Sequence, residues 1–257
     1  MTDGERALGF LGHVYRVRCE RVEQREWGEL VVTPSLPIVW DANFAIVDRW
    51  QRTPAELHAE LEAAQAELGF GHRKTVILDE AVAGRVWPAL AEPDWPLHDR
   101  FAVMAHRREP DRPADTASVE QLDFDAFGVV HQAILSEGPH AGDVELARQL
   151  DGLLTRIADV VETRAFGVVV DGTPAAGACL YLDGPVAQVE DVATVPAHRG
   201  RGLARAVVLR CVEEARAAGA ELVFLVADDS DWPKELYAKL GFDLVAFEHM
   251  AGRPGQA

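Results

Sequence analysis

The stretch Val189 to Ala218, VEDVATVPAHRGRGLARAVVLRCVEEARAA, constrains the fold more than any other part of the chain. Alternation places Val189, Asp191, Ala193 and Val195 on one face of a strand and Glu190, Val192 and Thr194 on the other. Pro196, lacking an N–H, ends that strand. A basic turn follows, His198-Arg199-Gly200-Arg201-Gly202. A helix then runs from Leu203 to Ala218 on the spacing Leu203, Ala206, Val207, Cys211, Ala215, with Gly219 just past its end. The first amides of such a helix lack internal acceptors and carry the positive end of its dipole, so strand, glycine turn and helix together form an anion site built from backbone. Gly200 and Gly202 let an oxyanion approach the main chain without a Cβ in the way. The competing reading is a strand-to-helix turn that is merely basic.

Other phosphate motifs are excluded by their own requirements. A P-loop closes on Gly-Lys-Ser/Thr and a Rossmann turn needs Gly-x-Gly-x-x-Gly, and neither is present. The run Arg199-Gly200-Arg201-Gly202-Leu203-Ala204 resembles the acetyl-CoA-binding motif of the GNAT acyltransferase superfamily, Arg/Gln-x-x-Gly-x-Gly/Ala. A second stretch, Leu236-Tyr237-Ala238-Lys239-Leu240-Gly241-Phe242, resembles that family's Leu-Tyr-x-x-Leu-Gly-Phe at the expected distance. The resemblance covers 118–252 and implies an α/β fold with a mixed sheet, the GNAT fold, and acetyl-CoA as co-substrate.

Along the chain, Leu8–Cys19 reads as a helix, and Leu30–Val32, Leu36–Trp40 and Ala42–Val47 as strand material. Thr53-Pro54-Ala55-Glu56 opens a helix with Thr at the N-cap and Pro at N1. Lys74–Leu78 is a buried strand, Glu80–Leu90 a helix stopped by Pro93, and Arg100–His106 a strand. This order matches the second half of the resembled fold, so residues 1–106 are expected to be a degenerate GNAT-like domain. Its turn before the helix, Val47 to Pro54, has no glycine, and Pro54 removes an amide. The proline-bearing charged run 107–117 reads as a linker. Residues 118–257 are expected to be the N-acetyltransferase domain. There Ser118–Leu122 is a strand, Asp125–Ser136 and Val144–Val161 are helices, and Ala165–Val170 with Ala176–Leu182 form a hairpin. Glu221–Val226 is a strand, Asp229-Ser230-Asp231 caps the helix of Tyr237, and Leu244–His249 closes the chain. The loop Glu137-Gly138-Pro139-His140 falls where relatives line the acceptor pocket.

The resemblance assigns main-chain contacts with the pantetheine arm to Ala193, Thr194 and Val195. It assigns the diphosphate to amides of Gly200, Arg201, Gly202, Leu203, Ala204 and Arg205, with charge from Arg199, Arg201 and Arg205; Ser230 is a cap or a cofactor contact. Tyr237 occupies the family's general-acid position, its alternative being a packing aromatic. For the base, Glu190 and Asp191 lie on opposite faces of the strand, so only one is expected to face the acceptor. Glu190 is favoured because Asp191 shares a face with Ala193 and Val195, and His140 is a further candidate.

Composition bounds the partners. The chain has 257 residues, 48% of them apolar, and a net charge of −17, which disfavours nucleic acid and anionic membranes. Cys19, Cys179 and Cys211 form no CxxC pair, and the nine histidines show no HxxxH or HExxH spacing, so no metal site is expected. The N-terminus lacks a signal-peptide pattern, which points to the cytoplasm. The expected activity is transfer of an acetyl group from acetyl-CoA to a primary amine of a small molecule or peptide, by a monomer or homodimer. An acyl-CoA sensor without turnover, or a tandem-GNAT enzyme of thiol-metabolite synthesis, are the alternatives.

Overall fold

The computed structural model describes residues 1–91, 94–135 and 142–255. The N-terminal half opens with α1 (Asp3–Val17), which starts before Leu8 because Thr2 and Glu5 form a reciprocal capping box. A hairpin of β1 (Arg21–Arg25) and β2 (Gly28–Val32) follows. Strand β1 escapes sequence reading because RVEQR carries a single apolar side chain and is largely exposed. Residues 36–40, expected as strand, are instead turns leading into a short 3-10 turn at Trp40–Ala42. Pro34 and Pro37 remove ladder donors, and buried Asn43 takes up the stranded main chain. Its Nδ2 donates to the Leu36 and Val39 carbonyls at 2.7 and 3.1 Å, and its Oδ1 accepts from the Thr33 amide at 2.8 Å.

The half continues through β3 (Phe44–Val47), α2 (Pro54–Glu67), β4 (Arg73–Ile77), α3 (Glu80–Val86) and β5 (Leu97–His106). Helix α3 gives way to a 3-10 turn at Trp87, where Pro88 cannot donate the next helical bond; Pro93 lies outside the described residues. The C-terminal half contains β6 (Glu120–Leu122), α4 (Phe124–Leu135), α5 (Val144–Val160), β7 (Glu162–Val170), β8 (Thr173–Asp183), β9 (Val186–Thr194), α6 (Leu203–Ala217), β10 (Leu222–Asp228), α7 (Pro233–Lys239) and β11 (Phe242–Arg253).

All the described strands join one mixed sheet in the order β1-β2-β3-β4-β11-β5-β10-β9-β8-β7-β6. Each half contributes one parallel pair, β3 with β4 and β9 with β10, with a helix between the two strands. The last strand of each half is exchanged. Strand β5 pairs antiparallel with β10, β11 pairs antiparallel with β4, and β5 and β11 pair with each other at the centre. The sheet therefore does not divide where the sequence suggests a boundary. Helices α6 and α7 cover one face of the C-terminal half over Val207, Cys211, Val223 and Phe242. On the opposite face α1 and α5 bury Phe10, Leu11, Leu153 and Ile157 against Phe224 and Tyr181. The N-terminal half has its own cluster of Trp27, Leu57, Leu61, Val86 and Trp95. Side chains of this size contribute about 1.5–3 kcal/mol each when fully buried.

The run 107–117 is no free spacer. Its Arg107 and Arg108 amides donate to the Gly241 carbonyl, and its Asp111 amide donates to Lys239 at 2.8 Å. Asp111 also pairs with Arg205 of α6 at 2.7 Å. Gly241 has φ +95°, and a Cβ there would lie 1.9 Å from the Arg108 carbonyl oxygen, so the glycine of the Leu-Gly-Phe motif is required for docking this segment.

Candidate active site

The site is built where β9 and β10 part. Their parallel pairing runs from Val186 with Leu222 to Val189 with Leu225 and stops there. Immediately beyond, the register between β8 and β9 shifts: Cys179 faces Glu190, whereas Gly177 faces Ala193. The extra residue on β9 is a β-bulge, and Asp191 takes a left-handed conformation, φ +54°, to accommodate it. Simple alternation therefore fails at this point. The expectation that Glu190 and Asp191 point to opposite faces is corrected: both line one cavity of about 260 Å³.

That cavity is walled by both halves. Leu11 and Tyr15 come from α1, Arg18 from its C-cap, Lys74 from β4, Phe101 from β5 and Glu248 from β11, facing Tyr181, Gln188, Glu190 and Asp191. Gln188 Nε2 donates to Glu190 Oε2, and Tyr181 Oη donates to Asp191 Oδ2 at 3.2 Å. Tyr15 Oη donates to Glu248 Oε1 at 2.9 Å, and Lys74 is paired with Asp41. Burial, with Asp191 beside it, pushes the Glu190 carboxyl up to about 8. Burial also raises Asp191 and Glu248, while the Lys74 ammonium holds Asp41 low.

On the other side of the split lies a groove of about 820 Å³, lined by Val192, Ala193, Thr194, Arg199, Gly200, Gly202 and Leu203 through Arg205, with Arg112, Trp232, Leu236 and Tyr237 opposite. Gly200 and Gly202 have φ +75° and +80°, and a Cβ on either would meet open space. Gly202 is the N-cap of α6 and offers no side chain to its amides. Ala206 donates the first intrahelical bond, to the Gly202 carbonyl, which leaves the amides of Leu203, Ala204 and Arg205 without helical acceptors. The residues fit a diphosphate. The corresponding start of α2 does not, because Thr53 and Glu56 cap it and Pro54 has no N–H.

A smaller space of about 220 Å³ shares walls with both, lined by Glu190, Asp191, Val226, Asp228 and Tyr237. Tyr237 is 8% exposed and its hydroxyl is kept protonated by burial and by Glu190 nearby. The smaller space thus shares Glu190 and Asp191 with the cavity and Tyr237 with the groove.

Several sequence-stated roles change. The Val195 amide donates to the Ala175 carbonyl at 2.9 Å, its carbonyl accepts from the His198 amide at 2.8 Å, and Ala193 pairs with Gly177, so these main-chain groups of Val195 and Ala193 are taken within the protein. It is Thr194 whose carbonyl turns outward, where Arg199 Nε donates to it at 3.2 Å. Arg205 is 6% exposed and its guanidinium is committed to Asp111 and the Arg112 carbonyl, so only its amide faces the anion cradle. Arg201 Nη1 lies 2.8 Å from His198 Nδ1, and Arg201 does not line the groove. Ser230 does not cap α7: its amide and Oγ both donate to Asp228 Oδ1 at 2.7 Å, and Trp232 is the N-cap. The loop with His140 lies outside the described residues. Sequence reasoning missed Arg18, Lys74, Arg112 and Glu248, which carry no local motif. Gln188 was findable, since it stands two residues before Glu190 on the same strand.

Known proteins resemble the chain in sequence and in fold. A family model described as the Acetyltransferase (GNAT) family matches residues 134–242. A curated glucosamine 6-phosphate N-acetyltransferase from Trypanosoma brucei brucei is 32% identical over 115 residues, 42% of this chain and 75% of that protein. The chain belongs to the GNAT acetyltransferase family. The family match of this GNAT acyltransferase lies in the C-terminal half. A GCN5-related N-acetyltransferase from Kribbella flavida aligns with a TM-score of 0.65 at 20% identity, over 98% of this chain and 96% of that one. A tandem GNAT protein from the clavulanic acid biosynthesis pathway aligns with a TM-score of 0.55 at 18% identity, over 82% of this chain and 75% of that one. Among the described residues of this acetyltransferase, no helix is long and apolar enough to cross a membrane, and no cluster of His, Cys, Asp and Glu is arranged to hold a metal.

Proposed function

We propose that this acetyltransferase moves the acetyl group of acetyl-CoA directly to a primary amine within a ternary complex, with no covalent enzyme intermediate. Acetyl-CoA supplies an activated thioester. The amides at the start of α6 hold its diphosphate, and the outward main chain of Val192 and Thr194 takes the pantetheine arm as an added strand. Glu190, acting with Asp191, accepts the proton of the acceptor ammonium, and Tyr237 donates its hydroxyl proton to the departing sulfur. The observation that carries this reading is the bulge at Asp191, which turns two carboxylates into a cavity that meets the anion groove beside Tyr237. We further read residues 1–106 and 118–257 as two copies of one fold joined by 107–117. In this reading the first copy walls the acceptor cavity and binds no acyl-CoA.

The cofactor site is tested by thermal unfolding. Acetyl-CoA is expected to raise the melting temperature of the wild-type protein, because it binds only the folded state. In Gly202→Val the shift is expected to vanish, since a branched side chain stands over the amides and the residue is forced into a left-handed conformation that costs about 1–2 kcal/mol. A Gly202→Val protein that keeps the full shift would place the diphosphate elsewhere.

The acid is tested by Tyr237→Phe, which keeps the ring against Phe242 and removes only the proton donor. Its kcat is expected to fall by roughly 10²-fold with acetyl-CoA affinity little changed. An unaltered kcat, under conditions where chemistry limits the rate, would reduce Tyr237 to packing.

A further inference from the structure

Arg18 is the anomaly of the acceptor cavity. It is 9% exposed, lines the cavity, and has no carboxylate within ion-pair distance among the described residues. One Nη2 donates to the Asp41 carbonyl at 2.6 Å, the guanidinium lies 4.7 Å over the Tyr15 ring, and Nε has no partner. The acids around it are engaged otherwise: Glu248 with Tyr15, Asp41 with Lys74, Asp191 with Tyr181 and Glu190 with Gln188. The Arg18 charge acts to lower Asp41, Glu190, Asp191 and Glu248, yet none of them touches it, and a buried guanidinium without a contacting anion is costly. A second orphan stands beside the carboxylate pair. Gln188 is 4% exposed, its Nε2 is spent on Glu190, and its Oε1 has no donor.

The two orphans are of opposite character: a cation without a contacting carboxylate at the C-cap of α1 and an unpaired acceptor beside two carboxylates on β9. We infer that the acceptor is a compact molecule carrying both an amine and an oxyanion, a carboxylate or a phosphate. Its oxyanion sits on Arg18, and its ammonium lies between Gln188 Oε1 and the Glu190–Asp191 pair. The cavity of about 260 Å³ suits a molecule of amino-acid size, and closing it with such a ligand satisfies both orphans at once. This inference rests on the acyl-transfer reading above and names its acceptor class. It also gives the N-terminal half a role in specificity, since Arg18 belongs to that half while the carboxylate pair belongs to the other.

The experiment uses the full-length protein, with released CoA as readout and matched pairs as probes. The pairs are common amino acids against the amines left by their decarboxylation, and glucosamine 6-phosphate against glucosamine. In wild type the anion-bearing member of at least one pair is expected to exceed its partner in kcat/KM by roughly 10²-fold, the effect of one buried charged contact. Preference within the amino-acid pairs identifies a carboxylate, and preference within the sugar pair a phosphate. Arg18→Met keeps an unbranched apolar side chain, removes the guanidinium over Tyr15, and is expected to shrink the ratio to within about tenfold, with Arg18→Lys restoring part of it.

Equal turnover within every pair, or an Arg18→Met variant that slows both members alike, would overturn the inference. So would a protein whose melting temperature rises with acetyl-CoA but for which no anion-bearing amine is turned over or adds a further rise. Absence of any acetyl-CoA shift would instead sink the acyl-transfer reading beneath it.

Discussion

Glu190→Gln is expected to lower kcat by roughly 10²- to 10³-fold, the range of a lost general base. The substitution keeps the side chain's size and its contact with Gln188 but removes the group that accepts the ammonium proton. The pH profile separates this from a loss of packing. A base works only when deprotonated, so in wild type kcat should rise with pH and level off above the apparent value of the pair, near 8 for Glu190. In Glu190→Gln that limb should disappear. In Asp191→Asn it should move to lower pH, because the neighbouring negative charge is one of the causes that raise Glu190. A Glu190→Gln enzyme with the wild-type rate and the same rising limb would assign proton removal to another group.

The second large effect is on folding. A fragment of residues 107–257 keeps both sequence motifs but loses β5, which lies between β10 and β11 in the sheet. Phe224 to Asp228 of β10 would lose their antiparallel partners, and β11 would lose its partners on both sides, β5 and β4. Open edges of this length pair with other chains. The fragment is therefore expected to aggregate, or to form oligomers through β10 and β11, and to show no cooperative unfolding as a monomer. Size-exclusion chromatography with far-ultraviolet circular dichroism checks this. A monomeric fragment with a cooperative melt would mean that the exchanged strand is dispensable.

Much of the C-terminal half was legible because its signals are local. The strand ending at Pro196, the glycine turn and the α6 spacing are fixed by residues within a few positions of one another, and so is the helix carrying Tyr237. The capping box at Thr53 and Glu56 was readable for the same reason. The failures were also local in cause. The segment 36–40 has strand-like composition, but buried Asn43 supplies hydrogen bonds that no propensity encodes. The supposed cap at Ser230 went to Asp228 instead, a side chain two residues away that offers the same acceptor.

The sequence by itself determined the glycine turn before an uncapped helix, since glycines at positive φ need only their neighbours. It also marked Tyr237 as a candidate acid and determined the order of strand, helix and strand around the glycine turn. Tertiary structure alone decided the rest. A bulge at Asp191 depends on the register with β8, and one added residue reverses the face of every side chain that follows. Arg18 and Glu190 stand 172 positions apart in the chain numbering, and only the exchange of β5 and β11 brings α1 against β9. The acceptor cavity is therefore a property of the joined sheet, because burial and charge are set by partners remote in sequence.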